Sequence, residues 1–122
     1  MIVYCCADLI FATKVRSTAE SLGLASRPAR DAAMLANRLN RVDDGKGCDA
    51  VTGVVIDLDV PEAAALVRQV KAHDAALPVV AFGSHVATAV LDAARDAGAD
   101  AVLPRSAFTL QLPQLLTRLA GR

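Results

Sequence analysis

Gly53-Val54-Val55-Ile56-Asp57-Leu58-Asp59-Val60-Pro61 passes from an apolar run through two carboxylates to a proline. Val54, Val55 and Ile56 offer no polar face, so the run reads as a strand covered on both sides. A charge carried into such a core is costly. Asp57 is therefore expected at the exposed C-terminal end of the strand, the edge where open parallel sheets place ligands and chemistry. Pro61 suits the first turn of a following helix, where its missing N–H costs little. Glu62 then complements the positive helix end.

The segments before this strand repeat a strand–helix pattern. Residues 2–6 form a short apolar, β-prone run, and Asp8 is placed to cap a helix. Leu9, Ile10, Ala12, Val15, Ala19 and Leu22 recur at helical spacing, and Gly23 ends the helix. Residues 24–27 read as a second strand ended by Pro28. A second helix over 29–42 has Ala33, Leu35, Ala36 and Leu39 on its apolar side. Arg27, Arg30, Arg38 and Arg41 flank it as a solvated face. Asp43-Asp44-Gly45-Lys46-Gly47 reads as a loop.

After the central strand, a third helix extends to residue 75, with Ala64, Leu66, Val67 and Val70 facing the core. Residues 77–82 form a fourth apolar strand. Gly83-Ser84-His85 is a turn in which Ser84 is placed to cap a fourth helix over 87–97, which Gly98 ends. Residues 101–103 form a fifth strand. A last helix lies within 109–120, with Pro113 in its first turn or marking a break. Five strands alternating with five helices predict an α/β domain, a doubly wound parallel sheet with right-handed crossovers.

The chain has 122 residues, enough for a single domain over 1–122 and no second one. Hydrophobic residues make up 54% and charged residues 21%, which predicts a packed core and excludes disorder. Aromatic residues are only 3%, so the core must come from Ala, Val and Leu. Thirteen basic side chains balance thirteen acidic ones, which argues against nonspecific nucleic-acid binding. No apolar run approaches the length of a membrane span. Met1-Ile2-Val3-Tyr4 has no basic leader and reads as a strand. Cys5, Cys6 and Cys48 have no metal-binding spacing, and a reduced, cytoplasmic protein fits them. Adjacent Cys5 and Cys6 point to opposite faces of their strand. Beside Asp57, the Cys6 thiol is expected to have a raised pKa and low reactivity. After the first strand stands Ala7-Asp8-Leu9-Ile10 and no glycine-rich phosphate loop. A nucleophile elbow and a dinucleotide fingerprint are also missing, so an enzyme is not expected.

Three segments carry a resemblance to the response-regulator receiver domain family, over the whole chain. Asp57 with Pro61 four residues on is similar to the family's phosphoacceptor aspartate and its following proline. Pro78-Val79-Val80-Ala81-Phe82-Gly83-Ser84 is similar to its fourth strand and switch position. Ala97-Gly98-Ala99-Asp100-Ala101-Val102-Leu103-Pro104-Arg105-Ser106-Ala107-Phe108 is similar to its "AGADDYLxKPF" segment. The resemblance implies a flavodoxin-like (βα)5 fold with strand order 2-1-3-4-5, and a role in bacterial two-component signalling with no output domain attached.

The departures from the family decide the functional expectation. The resemblance puts Cys6 and Ala7 where the family holds Mg²⁺ with an acidic pair, and Asp8 falls one residue late. A thiol and a methyl do not suit a hard cation. The switch hydroxyl position falls on Gly83, with Ser84 beside it, and the aromatic switch falls on Val102. The family's lysine falls on Arg105, whose planar fork is no substitute for an ammonium. Asp57 is then either a phosphoacceptor or a retained carboxylate paired with Arg105, and Asp59 is expected in solvent. The resulting expectation is a pseudo-receiver that acts by protein–protein contact, without cofactor, metal or conventional Mg²⁺-dependent phosphorylation. Its partners would be a histidine kinase or a downstream effector. Family resemblance assigns the contact surface to helix four, strand five and helix five, through Ala89, Asp92, Ala93, Asp96, Val102, Leu103, Pro104, Phe108, Leu112 and Leu116. A homodimer through the same surface is expected. The alternative is a working response regulator phosphorylated on Asp57 by a histidine kinase, with Asp59 or Asp8 helping to hold Mg²⁺. His85 and His73 are expected to be surface histidines.

Overall fold

The computed structural model describes residues 1–43, 46–47 and 49–121. Five parallel strands form one sheet: β1 Ile2–Cys5, β2 Ser26–Pro28, β3 Gly53–Asp57, β4 Val79–Gly83 and β5 Ala101–Pro104, in the order β2-β1-β3-β4-β5. Five helices alternate with them: α1 Leu9–Ser21, α2 Ala32–Leu39, α3 Ala63–His73, α4 Thr88–Asp96 and α5 Arg105–Leu119. This is the doubly wound, flavodoxin-like architecture expected from the strand–helix alternation.

Each face of the sheet has its own core. Val3, Cys5, Val54, Ile56, Val79 and Ala81 pack with Leu35 and Leu39 of α2, Leu66, Val67 and Val70 of α3, and Leu91 and Ala94 of α4. On the other face, Ile2, Tyr4, Val55, Val80 and Phe82 meet Val15 and Ala19 of α1 and the apolar side of α5. Val54, Val55 and Ile56 are fully buried, as their lack of a polar face requires. Cys5 and Cys6 pack on opposite faces.

Several boundaries differ from expectation. Pro28 lies inside β2, tolerated because β2 is an edge strand that can spare an N–H. The second helix is shorter, because the Asp31 carboxylate accepts the Met34 N–H (2.8 Å) and starts it at Ala32. Along α2, Ala33 is exposed and Arg38 is buried, donating Nε–H to the Pro28 carbonyl (3.2 Å). Residues 42–43 and 46–47 form a two-rung antiparallel pairing in place of a plain loop, while Asp44, Gly45 and Cys48 lie outside the described residues. Pro61 stands two residues ahead of α3, because Glu62 adopts a left-handed conformation (φ 57°) and has no side-chain cap. Pro113 lies well inside α5, since the helix starts at once with Arg105. The packing of Phe108, Leu112, Leu115, Leu116 and Leu119 holds α5 together while Pro113 faces solvent.

Candidate functional site

The parallel register ends β1, β3, β4 and β5 along one edge, at Cys5, Asp57, Gly83 and Pro104. Asp57 sits at this edge but is not exposed: its accessibility is 0%. The burial follows from its partners. One carboxylate oxygen, Oδ2, accepts the Ala7 N–H (3.0 Å). The other, Oδ1, accepts the Asp59 N–H (3.0 Å) and an Arg105 Nη2–H (3.3 Å). Two main-chain amides and a guanidinium offset the desolvation that a bare charge would suffer there.

Arg105 is the hub of the site. As the first residue of α5, it is carried directly to the edge by β5. Its Nη2 donates to both the Asp57 and the Asp59 carboxylates. Its guanidinium carbon lies 5.6 Å from the centre of the Phe11 ring, within cation–π range. Asp59 is thus in solvent on one side only, and its carboxylate is held by Arg105 on the other. Two carboxylates share one cation, leaving an excess negative charge.

The other positions that the resemblance matches to the family site are arranged differently from a metal centre. Cys6 is half-buried, and its thiol is pushed up to about 12 by burial and then by the charge of Asp57. Ala7 contributes its main-chain N–H, and its methyl group is exposed. The Asp8 carboxylate accepts the Phe11 N–H (2.9 Å) and caps α1. Among the described residues, no group of three or more His, Cys, Asp or Glu is arranged to hold a metal ion. A hard cation needs several oxygen ligands. Asp57 Oδ1 and Asp59 Oδ2 already face Arg105, Asp57 Oδ2 accepts the Ala7 amide, and a high-pKa thiol beside them does not supply a hard oxygen ligand. The residues present do not fit Mg²⁺.

Gly83, which the resemblance matches to the switch position, is buried against Leu58, and a Cβ there would meet the Leu58 Cβ at 3.2 Å. Ser84 does not cap α4, whose N-cap is Ala87 without a side-chain bond. Its Oγ instead accepts the Val86 N–H at 3.4 Å, closing the turn. His85 and His73 are exposed.

On the face formed by α4, β5 and α5, Ala89, Asp92, Ala93 and Asp96 are exposed, and Val102, Leu103 and Pro104 are half-buried. Phe108, Leu112 and Leu116 are not on it. They are at most 2% exposed and form the core beneath α5, because the helix turns its apolar side to the sheet. Leu110, 82% exposed, is the large apolar side chain that α5 leaves outside.

Two participants carry no side-chain signature in the sequence. The Ala7 and Asp59 amides act through the main chain. Phe11 had a signal available: the chain has only three phenylalanines, and all three form one column. Phe82 stacks on Phe108 (centroids 4.0 Å apart, 11° between planes), and Phe11 lies 5.2 Å from Phe82. Three rings in a chain so poor in aromatics mark a common locus.

No protein-family model and no curated protein matches the chain. Solved structures do. The receiver domain of NtrX from Brucella abortus superposes with a TM-score of 0.78 at 19% identity, over 99% of this chain and 98% of that one. Against a longer NtrX chain the TM-score is 0.79 at 19% identity, covering 98% of this chain, which spans only 26% of that one. A response regulator from Thermotoga maritima gives 0.73 at 14% identity, over 99% and 97% of the two chains. The Mn²⁺-bound response regulator Rcp1 gives 0.73 at 11% identity, over 98% and 93%. The chain therefore has the receiver-domain fold.

Proposed function

We propose that this chain is a pseudo-receiver: a signalling module that works by protein–protein contact, in which a built-in guanidinium occupies the place of a metal ion. The observation that carries the reading is Arg105, bridging Asp57 and Asp59 above a fully buried acceptor carboxylate. Phosphoryl transfer needs a cation at the reacting oxygens and an approach for the phosphoryl group. Arg105 supplies the first permanently and obstructs the second. Gly83 agrees with this reading, since it carries no hydroxyl to meet a phosphoryl oxygen and a Cβ there would press on the Leu58 side chain.

The partner is another signalling protein, engaged through α4, β5 and α5. Ala89, Asp92, Ala93 and Asp96 present small and acidic side chains there, Asp92 paired with the exposed Arg95 (2.8 Å), beside the exposed Leu110. A homodimer through this face is the simplest assembly, and sedimentation at high concentration tests it. A monomer throughout would remove the dimer.

The phosphorylation question is tested by amide NMR, adding Mg²⁺ and then beryllofluoride, a mimic of the acyl phosphate. The pseudo-receiver reading expects no saturable change near Asp57 at millimolar Mg²⁺. Saturable shifts clustered at Asp57 and lost in Asp57→Asn would make the protein a true phosphoacceptor.

A further inference from the structure

We infer that a groove at the carboxyl edge of the sheet, next to the Asp57 centre, binds a small apolar molecule with a cationic head. The groove encloses about 790 Å³, within the range of small-molecule sites. Its place follows from topology. The chain leaves β1 toward α1 on one face of the sheet and leaves β3 toward α3 on the other. Loops that part in this way open a crevice at the carboxyl ends of the strands.

The lining defines the chemistry. Ala12, Pro28, Met34 and Val60 provide apolar surface. Leu9 also lines the groove yet is 83% exposed, and Ile10 next to it is 73% exposed. Two adjacent large aliphatic side chains left in water beside a groove mark a surface that a ligand can cover. The charged residues of the lining are Asp8, Asp59 and Arg30, all exposed. Asp59 belongs to a cluster that already carries one uncompensated negative charge. Asp8 adds another, against the single cation of Arg30. The excess negative charge selects an amine over a carboxylate. The groove shares Ala7 and Asp59 with the Asp57 centre, but the occupant inferred for it is a free small molecule and not a phosphoryl group, so amine binding and the proposed signalling role are tested separately.

Amide NMR titrations of the full chain with phenylbutylamine, phenylbutyrate and phenylbutanol test it. These share one apolar skeleton and differ in head-group charge. The amine is expected to give saturable shifts at Cys6 to Leu9, Pro28 neighbours to Met34, and Val60, with weaker binding by the alcohol and weakest by the carboxylate. Asp8→Asn keeps a good helix cap and removes one charge, and should weaken the amine about three-fold. Ala12→Phe should fill the groove and abolish binding. Absence of saturation by the amine overturns the site. Equal affinity for amine and carboxylate overturns the ligand class. Amine binding unchanged in both variants places it elsewhere and overturns the site as well. The Asp8→Asn arm decides if Ala12→Phe fails to fold.

Discussion

Arg105 is a residue whose value depends on its geometry as much as on its charge. One nitrogen, Nη2, reaches both carboxylates while the guanidinium lies within cation–π range of Phe11, so its placement brings one positive charge to two negative ones. Removing it leaves Asp57 buried with its charge uncompensated, the costly half of breaking such a pair. Arg105 is itself about a quarter exposed (26%), so the loss is screened. Arg105→Ala should cost about 2 kcal/mol. Adding Asp57→Asn removes the stranded charge, so the double variant should lose roughly 1 kcal/mol less than the two single losses combined. Urea midpoints of the four proteins measure this, and strict additivity would mean that Arg105 does not stabilise Asp57. The pairing itself was readable in the sequence, because positions 57 and 105 converge in any receiver-like sheet. The burial of Asp57 was not. It is produced by the Ala7 and Asp59 amides, and a main-chain donor looks the same in every residue.

Among the elements, α5 shows most clearly where tertiary packing overrides local signals. Its sequence contains a proline that argues for a late start, yet five buried side chains fix it from Arg105 to Leu119. The strands and α1, α3 and α4 were legible to within a few residues, because apolar runs and helical spacing dominate there. In α2 the sequence does not single out Asp31 as the cap, and Arg38 belongs to the face expected in solvent. No periodic signal distinguishes an arginine that buries its stem and bonds the Pro28 carbonyl from one that stays in water. The far end of α5 has a sharper dependence. Leu119 packs on the start of β3, where a Cβ on Gly53 would fall 2.7 Å from the Leu119 Cβ and Cδ2 and 2.9 Å from its carbonyl oxygen. Backbone cannot yield there as a flexible side chain would. Gly53→Ala should therefore destabilise the protein by about 2 kcal/mol through overpacking. Thermal unfolding checks it, and an unchanged midpoint would show that α5 can lift from β3 at little cost.

The molecule as a whole is fastened by charge at both edges of the sheet. At the carboxyl edge the fastening is Arg105 with Asp57 and Asp59. At the opposite edge Lys71, from α3, donates Nζ–H to the Leu77 carbonyl (2.8 Å), the Ala75 carbonyl (3.3 Å) and Asp100 Oδ2 (2.6 Å). The same Asp100 oxygen accepts the Val79 N–H (2.8 Å), so α3, β4 and the turn before β5 meet at one carboxylate. Partial burial opposes ionisation of Asp100, but Lys71 and the Val79 amide outweigh it and hold the carboxyl below its usual value of 3.8. A carboxyl depressed on folding stabilises the fold fully above its unfolded pKa. That contribution is lost as pH falls through the lower, folded value. Protonation therefore weakens this fastening only below about pH 4. In Asp100→Asn the contribution is missing at every pH. The difference in urea midpoint between wild type and Asp100→Asn should stay constant from about pH 7 to pH 5 and close steadily below about pH 4. A difference that persists unchanged into strong acid would mean that the negative charge of Asp100, and with it the pairing to Lys71, contributes nothing to holding this edge.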